Sequence, residues 1–288
     1  MSDLKLFHTR GGVLCELESS SAPLEKALQT RFETNLETLL GVRFLASEYV
    51  TSHGGRMDTL GIDENGYPVI IEYWLMDHRG DFELLVRDRY GKEVADQIEW
   101  SAPRLICIAA DFTKYDEHAV KQMGRNIELI RYRKFGEDLL LLELLTAVSA
   151  ASGAKAPNAP SKALSGAGNG YKTVTEYLAD AAPALANLHA DVETYLLGLA
   201  DDVTKKVTRF YLAYRRIKNF ACVEVRPTLG QLKVFLKIDP DSVELHEGFS
   251  RDVRKIGHFG TGDLELTLGS YDDFERAKPL ILRSYEES

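Results

Sequence analysis

The chain reads as an α/β domain, a mixed sheet flanked by helices on both sides, followed by a smaller α+β domain. Three observations predict this. Helical and strand periodicities alternate through the first half, the pattern of a layered mixed sheet. The run "RLICIAADF" is continuously apolar, as expected of a strand covered on both faces. Residues 147–170, "AVSAASGAKAPNAPSKALSGAGNG", are small and turn-forming without one large aromatic, the composition of a flexible linker. The expected boundaries are 1–146 for the first domain, 147–170 for the linker and 171–288 for the second domain.

Taken in order, "LKLFHT" and "VLCELE" around Gly11-Gly12 predict a hairpin. Ser21 and Pro23 announce a helix in which Leu24, Leu28, Phe32, Leu36, Leu39 and Leu40 recur at helical spacing until Gly41 stops it. Glu33 and Glu37 lie a turn apart beside that stripe. Strands follow at "VRFLASEYV" and at two runs flanking Asn65-Gly66, a pair that supplies the positive φ angles of a tight hairpin. "RLICIAADF" is the next strand, "EHAVKQMGRN" a helix, and "IELIRYRKF" and "DLLLLELL" two further strands. Past residue 170, helical patterning is interrupted near Pro183. Strands are then expected at "RFYLAY", "FACVEVRP", "LKVFLKID" and "DLELTL", with Ser270 or Asp272 capping a last helix.

At 288 residues, 44% hydrophobic and 27% charged, the composition is that of an ordinary globular protein. No apolar run reaches the roughly 20 residues of a membrane span. The start, "MSDLKLFHTRGG", lacks the apolar core of about 7–15 residues of an export signal, so a cytoplasmic location is expected. Cys15, Cys107 and Cys222 are odd in number, far apart and in strand-like contexts, which points to reduced core thiols rather than a disulfide framework or zinc site. The net charge of −9 disfavours nucleic acid on average. Thr204 to Lys237, however, holds nine lysines or arginines against one acid, Glu224, with Tyr211, Tyr214 and Phe220 among them. Such a stretch either lines phosphates and stacks bases or is a solvated sheet face with its rings in the core.

The chemistry centres on "GGRMDTLGIDENGYPVIIEYWLMDH". A hairpin turning at Asn65 brings Asp58 and Glu72, each seven residues away, to the same height. Two carboxylates so placed repel unless a cation lies between them, and a hard divalent ion such as Mg²⁺ takes carboxylate oxygens. A polar sheet face with one acid paired to Arg56 or a lysine would look the same in sequence. The stretch resembles the core of the PD-(D/E)xK restriction-endonuclease-like superfamily, and is most similar to its branch of NucS-type mismatch endonucleases. The resemblance covers roughly residues 20 to 145. It implies a nuclease-like mixed-sheet fold and a metal-dependent site with Asp58 as the acid of the first strand and Glu72 as that of the second. Glu33 is then the acid from the opening helix, Mg²⁺ or Mn²⁺ the cofactor, and DNA the partner. A homodimer is common in that branch. The C-terminal half, including "KNF" and "GHFGTGD", resembles that of bacterial relatives and carries no chemistry across.

One departure matters. The lysine that the pattern places two residues after Glu72 is Trp74 here. An indole has a single N–H donor and no charge, so it cannot replace an ammonium beside a phosphate. Either the site is degenerate and binds nucleic acid or a regulator without cutting, or a stretch bearing the lysine is missing between Tyr73 and Trp74, which a Cα separation above about 3.8 Å would reveal. Lys92 or Arg79 offers a substitute cation. Candidate phosphate contacts are Arg56, Arg131, Arg133 and Lys134 in the first domain and Arg215, Arg216 and Lys218 in the second. The loop "KIGHFGTGD" around His258 has the glycines of a phosphate loop but not its lysine or its strand-to-helix setting.

Overall fold

The computed structural model describes residues 5–10, 13–17, 19–20, 26–50, 56–71, 79–100, 103–136, 138–148 and 172–288. The chain forms two compact units, Met1–Ala156 and Pro157–Ser288. The expected linker falls almost wholly outside the described residues. Its first two positions belong to a strand that continues through Val148.

In the first unit a hairpin, β1 (Leu6–Arg10) and β2 (Val13–Leu17), forms its own two-stranded sheet. The main sheet has seven strands: β3 (Ser19–Ser20), β4 (Val42–Val50), β5 (Arg56–Asp63), β6 (Pro68–Ile71), β7 (Arg104–Ala109), β8 (Ile127–Phe135) and β9 (Leu139–Val148). Between β3 and β4 the expected helix is split at Asn35 into α1 (Lys26–Thr34) and α2 (Leu36–Leu40). Gly41 ends it in the left-handed conformation, φ 63°, which glycine adopts without a Cβ penalty. The crossover from β6 to β7 carries α3 (Arg79–Tyr90) and α4 (Lys92–Asp96), and that from β7 to β8 carries α5 (Lys114–Gln122). β6, β7 and β8 run parallel, and the remaining neighbours are antiparallel.

Period two sorts the sheet residues. Leu60, Ile62 and Ile70 pack with Phe82 and Val86 of α3. The opposite face receives Phe32 of α1, whose ring meets Tyr132 of β8 edge-on at 6.5 Å. Helices therefore cover both faces, as the patterning required. The α5 N-terminus is closed by a reciprocal capping box between Thr113 and Asp116, which satisfies two orphan amides and holds the Asp116 carboxyl below its usual range.

A buried ion triad pins the centre of this sheet. Asp63, at the end of β5, accepts the backbone N–H groups of Asn65 and Tyr67 through Oδ1, both at 2.9 Å, which closes the Asn65-Gly66 turn. Its Oδ2 accepts Arg104 Nη1 at 3.0 Å. The same guanidinium donates through Nε and Nη2 to both oxygens of Glu128 on β8, at 2.9 and 2.7 Å. Burial alone would lower the Arg104 pKa, but the two carboxylates outweigh it and raise it.

The second unit opens with α6 (Val174–Ala179) and α7 (Pro183–Leu197), where Pro183 is the first residue of α7 rather than a kink within a helix. Six antiparallel strands follow: β10 (Thr204–Val207), β11 (Leu212–Arg215), β12 (Asn219–Arg226), β13 (Gln231–Leu236), β14 (Ser250–Asp252) and β15 (Leu264–Leu268), in the order β10-β11-β12-β13-β15-β14. The final α8 (Tyr271–Glu287) is capped by Ser270. Alternate residues of the central strands, among them Val223, Val234 and Leu266, meet Leu188, Val192, Phe274 and Ile281 of the helices.

Two predictions follow from buried charge. Arg104→Leu strands two carboxylates in the sheet and should cost about 3–5 kcal/mol, read as a lowered urea midpoint. In the second unit His189 is buried, with Nε2 lacking a hydrogen-bond partner and standing 3.8 Å from Glu193 Oε2. Burial lowers its pKa below the ordinary 6.5, Glu193 opposes this and Lys205 adds to it. A depressed folded pKa gives stability that is complete above 6.5 and is lost as pH falls below it. Unfolding measured at neutral and at mildly acidic pH should show this loss, and His189→Phe should flatten it.

Candidate functional site

The hairpin that carries the motif closes through the three-residue loop 64–66, with the Asp63 N–H donating to the Tyr67 carbonyl at 2.9 Å, rather than through a two-residue turn with positive φ at both Asn65 and Gly66. Gly66 has φ 81°, and β5 pairs β6 with Thr59 opposite Ile71, Leu60 opposite Ile70 and Gly61 opposite Val69. Glu72, Tyr73 and Trp74 lie outside the described residues, as do His53, the side chains of Arg56 and Arg79, and the proposed break between Tyr73 and Trp74.

Glu33 is on α1, one residue past the buried Phe32, so it sits at the margin of the core face. Its Oε1 accepts three hydrogen bonds: from Ser47 Oγ of β4 at 2.7 Å, from Thr59 Oγ1 of β5 at 2.7 Å and from Gln29 Nε2 of α1 at 3.0 Å. Three elements thus fix one carboxylate oxygen. A cavity of about 40 Å³ opens beside it, lined by Glu33, Asp58, Thr59 and Gln29 with an apolar wall of Phe32, Leu36, Ile71 and Ile108. That volume holds a few water-sized ligands. Glu33 and Asp58 are therefore brought to one cavity, whereas Glu37 is exposed on α2. Among the described residues no group of three or more His, Cys, Asp or Glu side chains could hold a metal ion. Ser47, Thr59 and Gln29 were not recognised in the sequence. The signal was faint: Thr59 is one residue from Asp58, and Gln29 is one helical turn before Glu33.

Several expected phosphate contacts need correction. Arg131 is buried, with Nε and Nη2 on Glu143 Oε2 at 3.1 and 2.6 Å and Nη1 on Asp111 at 3.2 Å. Its guanidinium is consumed within the sheet. Arg215 is buried too, and donates to the backbone carbonyls of Arg216 and Ile217. Arg216 donates to Asp202 at 2.9 Å and lies over the Tyr285 ring. Arg133, Lys134 and Lys218 are half-exposed. Tyr211, Tyr214 and Phe220 are buried, so they serve the core rather than base stacking.

Of the cysteines, Cys222 is buried and Cys107 half-buried, but Cys15 is exposed on β2 instead of lying in a core. Its hairpin has no covering layer among the described elements. All three are reduced thiols. The His258 loop is a packed turn. His258 stacks on Phe235 at 4.3 Å, and a Cβ at Gly260 or Gly262 would come within 2.7 Å of Cys222 or of the Leu236 backbone. Glycine is needed there for close approach. Glu224, buried beneath this loop, accepts the Phe259 N–H at 3.1 Å. Burial raises its pKa against the opposing pull of Arg226.

No helix among the described residues is long and apolar enough to cross a membrane. Residues 174–288, nearly the whole second unit, match the family described as a domain of unknown function, DUF5655. Over 305 aligned residues the chain is 24% identical to an uncharacterized protein of Haemophilus influenzae, covering 99% of this chain and 100% of that one. Among solved structures, a chain from "Structure of EndoMS-dsDNA2 complex" is similar at 19% identity with a TM-score of 0.24. That alignment covers 40% of this chain and 47% of the other, so the chain spans less than half the length of that structure. The second unit is thus similar to the DUF5655 family over its helices and its six-stranded sheet.

Proposed function

We propose that the first unit is a nuclease-type module that acts on DNA and hydrolyses phosphodiesters with a divalent metal, using Asp58 and Glu72 as ligands and Glu33 as the assisting acid. The supporting observation is the meeting of Glu33, from a helix, with Asp58, from the hairpin, at one cavity. The resemblance to the PD-(D/E)xK superfamily implies that Glu72 completes this pair of acids. The donor set, oxygen throughout, suits Mg²⁺ or Mn²⁺. Such an ion, when bound, supplies a water of lowered pKa and a Lewis acid.

The chain's own contribution is orientation. With Oε1 of Glu33 held by Ser47, Thr59 and Gln29, Oε2 is the oxygen left to face a ligand or take a proton from an attacking water. The apolar wall lowers the local polarity, which strengthens each charge interaction beside it. Arg133, Lys134, Lys218 and Arg56 are the cations proposed to contact phosphate.

A second reading, a module that binds nucleic acid or a regulator without cleaving, is favoured by Trp74 in place of lysine. Cleavage of DNA with Mg²⁺ or Mn²⁺ by the native chain, Asp58→Ala and Trp74→Lys separates the two. The first reading expects native activity, its loss in Asp58→Ala and a gain of at least about tenfold in Trp74→Lys, since one charged group at a transition state is worth several kcal/mol. DNA bound but uncut by all three proteins would leave the binding module, and failure to bind DNA would remove the nuclease reading and the DNA-binding form of the second.

Glu33 can be tested separately. Glu33→Gln keeps the acceptor oxygen and should preserve stability while lowering cleavage. Glu33→Ala leaves the buried Thr59 hydroxyl without its acceptor and should also cost about 1–3 kcal/mol in chemical denaturation.

A further inference from the structure

We infer that the second unit binds a free nucleotide on the sheet face opposite its helices, with the base against the ring of Phe259 and the phosphates on Arg226 and Lys233. Successive residues of a strand point to opposite faces. Val223, Val225, Leu232 and Val234 meet the helices, so Cys222, Glu224 and Arg226 of β12 and Lys233 and Phe235 of β13 point the other way. The loop after β14 roofs only part of that face. His258 stacks on Phe235 at 4.3 Å, and a Cβ at Gly260 would come within 2.7 Å of Cys222. The roof ends at Phe259, whose N–H reaches Glu224 Oε1 at 3.1 Å. Past it, Glu224, Lys233 and Thr267 stand opposite one another across the ladder, and Arg226 lies in the next row. The result is a shelf of polar side chains that ends against a wall of rings.

Base and phosphate each find a complement there. Phe259 is 37% exposed and stacks on Phe210 at 4.4 Å, while Arg209 lies over the Phe210 ring at 4.9 Å. A guanidinium and two rings in contact give a support on which a base extends the stack. Glu224 sets the distance to the phosphates. It takes the Phe259 N–H on one oxygen and Arg226 Nη2 on the other, so ring and guanidinium flank a single carboxylate. Arg226 keeps 40% of its side chain exposed, and its bond to Glu224 engages one of its three nitrogens. Lys233 is anchored to Glu265 at 3.0 Å and to Thr267 at 2.6 Å, which holds its ammonium on the shelf.

The charges favour a single nucleotide over a strand. Arg226, Lys233 and Arg251 are met by only two acids, Glu224 and Glu265, which leaves a surplus of one positive charge on a chain of net charge −9. A polyanion gains little from so small a surplus. Successive bases would also need successive rings, and among the described residues this face offers the one Phe210–Phe259 stack. The site lies wholly within the second unit and stands whether or not the first unit cleaves DNA.

Equilibrium dialysis of ATP, with GTP in parallel, against the full chain in EDTA tests this. The expected result is saturable binding that Phe259→Leu and Arg226→Gln each weaken at least about fivefold, the lower end of what one ring–base stack is worth, and that Asp58→Ala leaves unchanged. Adenosine and inorganic triphosphate should each bind more weakly than ATP. No saturable binding, binding that either variant leaves unchanged, or loss in Asp58→Ala overturns the proposal. Binding of an oligothymidylate without binding of ATP or GTP overturns it too. Should a variant lose its circular dichroism, photolabelling of the native chain with 8-azido-ATP decides. Label on peptides from 224–233 or 256–262 supports the site, and label elsewhere overturns it.

Discussion

One guanidinium organises the first unit. Arg104 stands at the start of β7 and joins the hairpin turn, through Asp63, to the parallel strand β8, through Glu128. Its position is compelled: a buried carboxylate that already closes a turn requires a counter-charge, and a second carboxylate on the next strand saturates the fork. The triad therefore sets the height of the hairpin relative to the parallel core. It also sets where Thr59, Asp58 and Ile71 fall beside α1. A shift of one residue would turn each of these side chains to the opposite face.

From that anchor the cavity follows. α1 lies across the sheet because Phe32 and Leu36 are buried on it, and Glu33 is carried to the edge of this contact. Neutral donors from β4, β5 and α1 itself bind its carboxylate. A carboxylate oriented by hydroxyl and amide groups keeps its charge uncancelled, unlike Asp63 or Glu143, whose charges are met by arginines. Two kinds of acid in this unit can be contrasted. Those paired with arginine hold strands together, and Glu33, steered by neutral groups, faces an open space. It is this contrast that makes the cavity chemically distinct from the rest of the sheet.

The second unit spends its cations differently from what its composition suggests. The basic stretch from Thr204 to Lys237 looks like a phosphate surface, yet Lys205 bonds Glu193, Arg226 bonds Glu224 and Lys233 bonds Glu265. Its aromatics fill the core instead. Glu193 and Glu265 come from α7 and β15, outside the stretch, so those two compensations are invisible in a sequence window, whereas Glu224 stands two residues before Arg226.

The sequence by itself determined local features: the glycine at the hairpin turn, Gly41 at the end of α2 and the serine that caps α8 all rest on interactions a few residues apart. It did not fix the hairpin register: the strands close through the three-residue loop 64–66, with the Asp63 N–H donating to the Tyr67 carbonyl at 2.9 Å, where a two-residue Asn65-Gly66 turn would have shifted the pairing by one residue. Only the tertiary structure decided which face each residue occupies and who its partner is. Period two marks Arg131 and Arg133 as equivalent, but only Arg131 meets Glu143 and Asp111. The helix stripe placed Glu33 beside the core without showing that Ser47 and Thr59 would receive it. "DLLLLELL" reads as a strand, but only the structure shows that none of the residues of β9 is buried, because hydrophobicity records the affinity of a residue for cover and not whether cover is provided.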